Sequence, residues 1–284
     1  MCIFGIYTNL KKDAELHYTR QVVQALEDRG VPYYFDDALV KAMGAGPEAS
    51  CRGRKIDVLL VLGGDGTMLT AARKYGPQGT RLLGLNMGRM GFLLDTEVEN
   101  LRAAIDGILA GKYRIEKRIM LKAGILDAEG KIRASAYGLN EAVISQKKVL
   151  RIVNVHVAVN GLPVDNWRCD GLIVSTPTGS TGYSLSAGGP VVQPTVDVLL
   201  ITPICPHTLQ SSNIVISGND EITVRAESDY GSTVLTLDGQ DAFEIGQNET
   251  VSIKKADFGV EFIRYTDKNF FLLLKEKLAE WVIK

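Results

Sequence analysis

Residues 57–62, Asp57-Val58-Leu59-Leu60-Val61-Leu62, read as one run, continuously apolar after Asp57, that ends in Gly63-Gly64-Asp65-Gly66-Thr67. A run with no polar face has nothing to offer water, so it reads as a strand buried on both sides, the habit of a parallel sheet. The glycines permit a sharp turn into a helix over residues 68–75. Parallel strands need helical crossovers, so this one segment already commits its surroundings to alternating strands and helices.

The flanking chain agrees. Residues 2–7 and 31–35 read as short strands, and residues 81–85 as another buried one. Residues 13–29 read as an amphipathic helix, with Leu16, Thr19, Val23 and Leu26 at helical spacing and Gly30 as the stop. Thr96 with Glu99 reads as a capping box ahead of a helix whose face is Leu101, Ala104, Ile105, Ile108 and Leu109. The first hundred residues therefore predict a Rossmann-like α/β layer.

After Lys112 the texture changes to short, β-rich segments. Residues 153–159 alternate apolar and polar, and Asn160-Gly161 then supplies a hairpin turn. Residues 221–226, 233–237 and 260–265 repeat the pattern. A helix over 268–282 closes the chain, with Phe270, Leu273, Leu274, Leu278 and Trp281 on one face. The expected organisation is an α/β domain over 1–112 and a β-rich domain over 113–265, followed by the helix-bearing residues 266–284.

Composition narrows the function classes. A net charge of −1, from 32 basic and 33 acidic residues, gives no bulk attraction to nucleic acid or anionic lipid. No stretch reaches the apolar length that spans a bilayer. Cys2, Cys51, Cys169 and Cys205 are scattered, with no C-x-x-C pair, so neither a zinc site nor a disulfide framework is expected. The short apolar start does not read as a signal peptide, and a reduced, cytoplasmic setting is expected.

Four motifs carry chemistry. Gly63-Gly64-Asp65-Gly66-Thr67 has the backbone freedom and helix start that cradle a phosphate, but no Gly-Lys-Ser/Thr follows and it is not G-x-G-x-x-G. It differs from ordinary cradles in its carboxylate, which beside polyphosphate must bind a cation or act as a base. The competing reading is a tight turn capped by Asp65. The second motif, residues 170–190, leads from a buried strand into a loop dense in hydroxyls and glycines, with Tyr183 as an aromatic face for a purine. The third is Asn140-Glu141, an amide and a carboxylate able to read two parts of a nucleoside. The fourth, Asp238-Gly239-Gln240, reads alone as a β-turn. Arg151 and Arg168 are candidate anion contacts, and His207, one of three histidines, reads as structural.

In order and spacing these motifs, with Glu116-Lys117-Arg118 and Ile204-Cys205-Pro206-His207, resemble the bacterial NAD kinase family over residues 56–240. The glycine-aspartate turn alone is shared with diacylglycerol-type lipid kinases and phosphofructokinases; the loop after Asp170 is the family-specific part. The resemblance implies an α/β domain and a β-sandwich domain with NAD between them, and a final segment, residues 266–284, that returns to the first domain. It implies phosphoryl transfer from ATP or another donor to the 2′-hydroxyl of the adenosine ribose, with Mg²⁺ or another divalent cation. No metal ligand is assigned. Asp65 becomes the proton acceptor. Gly66, Asn140, Glu141, Arg151, Arg168, Asp170, Thr181, Gly182, Tyr183, Ser184, Leu185, Ser186 and Gln240 join it around NAD, and Gly63, Gly64, Gly66 and Thr67 cradle the donor phosphates. Members form homodimers or homotetramers in which a neighbouring subunit can complete the site. Gly182 stands where many members have Ala, and Arg89 is a further departure. A lipid kinase and a non-catalytic NAD sensor are the rivals; the loop over 178–186 speaks against the first and Asp65 against the second.

Overall fold

The computed structural model describes residues 2–88, 91–94, 96–147, 152–208, 211–228, 231–266 and 269–282. The chain divides into two compact units, Met1–Lys117 with Val260–Lys284, and Arg118–Gly259.

In chain order the first unit holds β1 (Phe4–Thr8), α1 (His17–Glu27), β2 (Tyr33–Phe35), α2 (Asp37–Met43), β3 (Val58–Gly63), α3 (Asp65–Tyr75), β4 (Arg81–Asn86), β5 (Thr96–Glu97) and α4 (Leu101–Leu109). Its strands pair in parallel in the order β5-β4-β3-β1-β2. Every residue of β3 is buried, as its apolar run requires. Helix residues Val22, Leu26, Ala104 and Ile105 close over Phe4, Ile6, Leu60 and Leu83 in one core.

Three local expectations change. Helix α1 starts at His17 rather than residue 13, because the Asp13 carboxylate stands outside it and accepts from Tyr18 N and Thr19 N at 3.1 and 2.8 Å. Helix α3 starts earlier, at Asp65, with Gly64 as its N-terminal flank. The capping box of Thr96 and Glu99 does not form. Thr96 pairs with Leu85 in the sheet, a 3₁₀ turn follows, and α4 begins only at Leu101, leaving the buried Thr96 hydroxyl without a partner. Helix α2 was not expected; Asp36 caps it through Ala38 N, and Gly44 ends it at φ +65°.

The second unit is built from β6 (Arg114–Leu126), β7 (Ile132–Gly138), β8 (Glu141–Gln146), β9 (Val153–Val159), β10 (Leu162–Cys169), β11 (Gly171–Ser175), α5 (Tyr183–Ser186), β12 (Val198–Ile204), β13 (Ile214–Ser217), β14 (Ile222–Glu227), β15 (Thr233–Leu237), β16 (Asp241–Ile245) and most of β17 (Thr250–Arg264). Strands β6 and β17 cross the unit boundary by continuing along the chain, and Phe262 of β17 pairs with Leu82 of β4 in the first unit's sheet. In the second unit β10-β9-β14-β17 pair antiparallel, and β13-β12-β11-β8-β15-β16 form a second antiparallel sheet. Val155, Val157 and Trp167 from one sheet and Leu172, Val174, Leu199 and Leu235 from the other share one core, so the unit is a sandwich. The β9–β10 turn has Asn160 and Gly161 at φ +51° and +79°, the left-handed pair that a two-residue hairpin needs. The chain thus joins an N-terminal α/β unit with a parallel sheet to an antiparallel β-rich unit.

The last helix, α6 (Phe270–Val282), belongs to the first unit. Phe270, Leu273 and Leu274 are half-buried while Phe271 and Leu272 are exposed, which is the face the helical spacing predicts. The side chains of Leu278 and Trp281 lie outside the described set.

Candidate functional site

In the first unit the glycine turn sits where β3 ends and α3 begins. A Cβ on Gly63 would lie 2.3 Å from Thr67 Oγ1, so only glycine lets Thr67 fold back over the turn. Thr67 Oγ1 accepts from Asn9 Nδ2 at 3.2 Å, and Asn9 N bonds Leu62 O at 2.9 Å. The segment after β1 therefore lies beside the turn. It lines a 360 Å³ depression with Gly66, Thr67 and Thr70. Lys12 Nζ stands 3.3 Å from where a Gly64 Cβ would be, bringing a cation to the positive end of α3. Asn9 and Lys12 had gone unread in the sequence. The signal was topological: neighbouring parallel strands end on the same edge, and β1 and β3 pair through Thr8 and Leu62.

The Asp65 carboxylate is not idle in this turn. Its Oδ2 accepts from Phe92 N at 2.9 Å and its Oδ1 from Leu93 N at 3.0 Å. Each oxygen keeps one further lone pair for a hydroxyl.

In the second unit three motifs meet. The Asp238 carboxylate accepts from Leu139 N, Asn140 N and Glu141 N at 2.9, 2.9 and 3.1 Å, and Asp238 N returns a bond to Glu141 O. The Asp238-Gly239 turn is indeed a β-hairpin turn, with both residues at positive φ. It is also the clamp that shapes the Asn140-Glu141 corner. From the other side Thr176 N bonds Asn140 O, Thr176 Oγ1 bonds Leu139 O at 2.6 Å, and a Cβ on Gly179 would lie 2.3 Å from Asn140 O. The hydroxyl-rich loop is thus packed directly onto the corner. Buried Arg118 holds this loop too, through Thr178 Oγ1 at 3.2 Å.

The corner's side chains are incompletely used. Asn140 Oδ1 and Glu141 Oε2 are buried without a hydrogen-bond partner. Burial, and after it the nearby Asp238 charge, push the Glu141 carboxyl up to about 7. A buried polar atom left unbonded is costly, so such a pair marks where a polar ligand belongs. Gly182 faces both: a Cβ there would lie 3.6 Å from Glu141 Oε2 and 3.8 Å from Asn140 Nδ2, with Gly179 O tightest at 3.2 Å. An alanine therefore fits with a small adjustment.

The loop spends many hydroxyls inward. Ser180 Oγ bonds Pro177 O, Thr181 Oγ1 bonds Thr178 O at 3.5 Å, and Ser184 Oγ bonds Thr202 Oγ1 at 3.1 Å. Tyr183, 46% exposed at the start of α5, and the exposed Ser186 are left facing outward, with Leu185 half-buried between them. Gln240 is exposed on the Asp238 turn.

Arg168 and Asp170 are not part of this cluster. Strand β11 pairs Ser175 with Glu141 but Gly171 with Ser145, so Asp170 stands at the far end of the strand, roughly 15 Å away at about 3.3 Å per residue. Both side chains are exposed there, and His207 joins them through its N–H to Arg168 O and an Nε2 3.8 Å from Asp170 Oδ1. Arg151 and Arg89 lie outside the described residues. No described helix is long and apolar enough to cross a membrane.

Comparison with known proteins identifies relatives of both units. Residues 4–113 match the model of the ATP-NAD kinase N-terminal domain, and residues 139–265 that of the ATP-NAD kinase C-terminal domain. The chain is 40% identical over 279 residues to an NAD kinase of Caldanaerobacter subterraneus subsp. tengcongensis, covering 97% of this chain and 98% of that protein. An NAD kinase of Natranaerobius thermophilus is 35% identical, covering 97% of each. Among solved structures, an NAD kinase from Archaeoglobus fulgidus in complex with ATP superposes with a TM-score of 0.76 at 25% identity, covering 98% of this chain and 99% of the other. Yeast NADH kinase complexed with NADH shares the fold at a TM-score of 0.87 and 20% identity, covering 98% and 88%. The α/β unit and the β-rich unit are thus both matched, over nearly the whole of the chain, and the chain belongs to the ATP-NAD kinase family.

Proposed function

We propose that the chain phosphorylates NAD, transferring the terminal phosphoryl group of ATP to the 2′-hydroxyl of the adenosine ribose and releasing NADP and ADP. The observation that carries this reading is the convergence of the Asn140-Glu141 corner, the loop over 176–182 and the Asp238 turn on two buried, unpartnered polar atoms, Asn140 Oδ1 and Glu141 Oε2. An Asn oxygen accepts from an amine or hydroxyl and a Glu oxygen from a ribose diol. Tyr183 offers the adenine a face, while Thr181, Gly182, Leu185, Ser186 and Gln240 line the approach. The polar corner favours a nucleotide acceptor over the apolar one of a lipid kinase.

At the glycine turn, the amides after Gly63 and Gly64, the start of α3 and Lys12 take the donor phosphates. Asp65, held by two amides, takes the hydroxyl proton on a remaining lone pair as the new O–P bond forms and the bond to the leaving diphosphate breaks. Mg²⁺ or another divalent cation would arrive on the phosphates of ATP, keeping several of its waters. When bound, the ion neutralises donor charge. Arg168 and Asp170, at the far end of β11, serve a neighbouring copy in a homodimer or homotetramer. The scattered cysteines accord with a reduced, cytoplasmic setting.

The test is incubation of the purified chain with NAD and MgATP. NADP should accumulate in step with ADP. Phosphorylation of diacylglycerol in place of NAD would overturn the reading in favour of a lipid kinase, and binding of NAD without product in favour of a sensor.

A further inference from the structure

Residues 91–94, between β4 and β5, carry no motif chemistry of their own, yet two of their amides hold Asp65. Phe92 N and Leu93 N donate to separate oxygens of the carboxylate, which fixes its plane as well as its position. One residue earlier, a Cβ on Gly91 would lie 2.0 Å from Asp65 Oδ1 and 2.3 Å from its Cγ. The carboxylate thus occupies the space a side chain at 91 would need.

The segment is itself fastened from four sides. Leu93 and Leu94 are buried. Leu94 lies on Gly84 of β4, whose missing Cβ would meet Leu94 Cδ2 at 2.8 Å and Met68 Sδ at 3.1 Å. Arg264 Nη1 donates to Leu93 O at 3.2 Å, while its Nη2 donates to Glu116 Oε1 at 2.8 Å. The Phe92 ring meets Phe270 of α6, 6.5 Å between centroids. A cap for a helix start needs none of this. Holding two oxygens at once from a braced backbone is how a reacting group is kept in one geometry.

We infer that Gly91, with the Phe92 and Leu93 amides, is a positioning device for Asp65, and that α6 braces it through Phe270. The inference rests on Asp65 being the proton acceptor. Gly91 acts by leaving room for the carboxylate, and a side chain there turns Asp65 off its line.

The test is a double-mutant cycle on the full chain, reading kcat, KM and melting temperature. In the wild type, Gly91→Ala should lower kcat on the order of 10²-fold, the scale of a misplacement of about 1 Å, with KM for NAD and ATP within about 3-fold. In the Asp65→Asn background the same substitution should change kcat by less than about 2-fold, because there is no base left to misplace. Equal losses in both backgrounds would show a merely structural role and overturn the inference, as would a rise in KM with kcat intact. Asp65→Asn alone reports separately on the base: near wild-type turnover there removes the reading on which the inference stands. Should Gly91→Ala not fold, Phe270→Ala reads the same device from outside, with a kcat loss of about 3–10-fold in the wild type and none beyond that of Asp65→Asn in its background. A Phe270→Ala loss confined to melting temperature would count against it.

Discussion

The two carboxylates at the centre of this account, Asp65 in the first unit and Glu141 in the second, are treated oppositely by their surroundings. Asp65 has both oxygens bonded to backbone amides. Glu141 is buried with Oε2 unbonded and its carboxyl raised to about 7. A bonded, braced carboxylate is one whose geometry has to be right before substrate arrives. An unbonded, desolvated one is stable only once something else supplies the missing hydrogen bond. The contrast separates a group that acts from a group that receives, without reference to any relative.

The largest effect that probes this contrast falls on the residue shaping the receiving corner. Asp238→Ala removes the acceptor of three backbone N–H groups and leaves a non-glycine residue at φ +50° with no side-chain compensation. It should destabilise the second unit by about 3 kcal/mol or more, at about 1–3 kcal/mol for each of the three donors left unbonded, and raise KM for NAD. Asp238→Asn, which keeps one acceptor oxygen, should fall between. Urea unfolding alongside kinetics checks both. An Asp238→Ala protein with unchanged stability would mean the corner is held by the Thr176 side alone.

Next is the pH dependence of Glu141. Its folded value, about 7, lies above the ordinary 4.5, so ionisation costs the folded state more than the unfolded one. The cost is absent below about pH 4.5, grows as pH rises between the two values, and is complete above about pH 7. Glu141→Gln should therefore stabilise the ligand-free protein on the order of 3 kcal/mol at pH 8, by the usual 1.36 kcal/mol per unit, and the gain should shrink toward zero as pH falls to about 4.5. It should weaken NAD binding at every pH. Chemical denaturation at several pH values decides it. A difference independent of pH would contradict the picture of a strained, waiting carboxylate.

The smallest effect is expected at the exposed edge of the same region. Tyr183→Ala removes the proposed purine platform and should cost about 1–3 kcal/mol of NAD binding, read as a higher KM for NAD with that for ATP little changed. A change confined to ATP would place the aromatic face on the donor side and erase the division between the two regions.

How much of this was legible in the chain differs between the regions too. The buried strand over 58–62 and its glycine turn announce themselves because the signal is local: an apolar run, then residues that permit the turn. The hairpin at Asn160-Gly161 is legible for the same reason. Helix α2 was equally local, with Asp36 as cap and Gly44 as stop, and went unread because seven residues are too few for periodicity to register. Thr96 with Glu99 had the letters of a capping box, but pairing with β4 claimed Thr96 for the sheet, as tertiary context overrides local propensity. The clamps were out of reach. Asp65 meets Phe92 and Leu93 across 27 and 28 residues, and Asp238 meets Asn140 across 98. Asp238-Gly239 reads locally as a turn, which it is, while its second task depends on a partner that only folding supplies. The hydroxyl-rich loop was read for its abundance of donors, but the fold turns Ser180 and Ser184 inward to hold the loop's own shape.

The division of labour itself is tested most directly by calorimetric titration of NAD into two variants, with kcat measured on the same preparations. Asp65→Asn should keep the wild-type NAD affinity within about 3-fold while kcat falls about 10²–10⁴-fold, the usual loss for a general base. Asn140→Ala should do the reverse, weakening NAD binding about 10-fold or more, in line with about 1–3 kcal/mol for a lost buried hydrogen-bonding group. If both variants lose affinity and turnover in the same proportion, the acting and receiving groups are not separate, and the account is wrong.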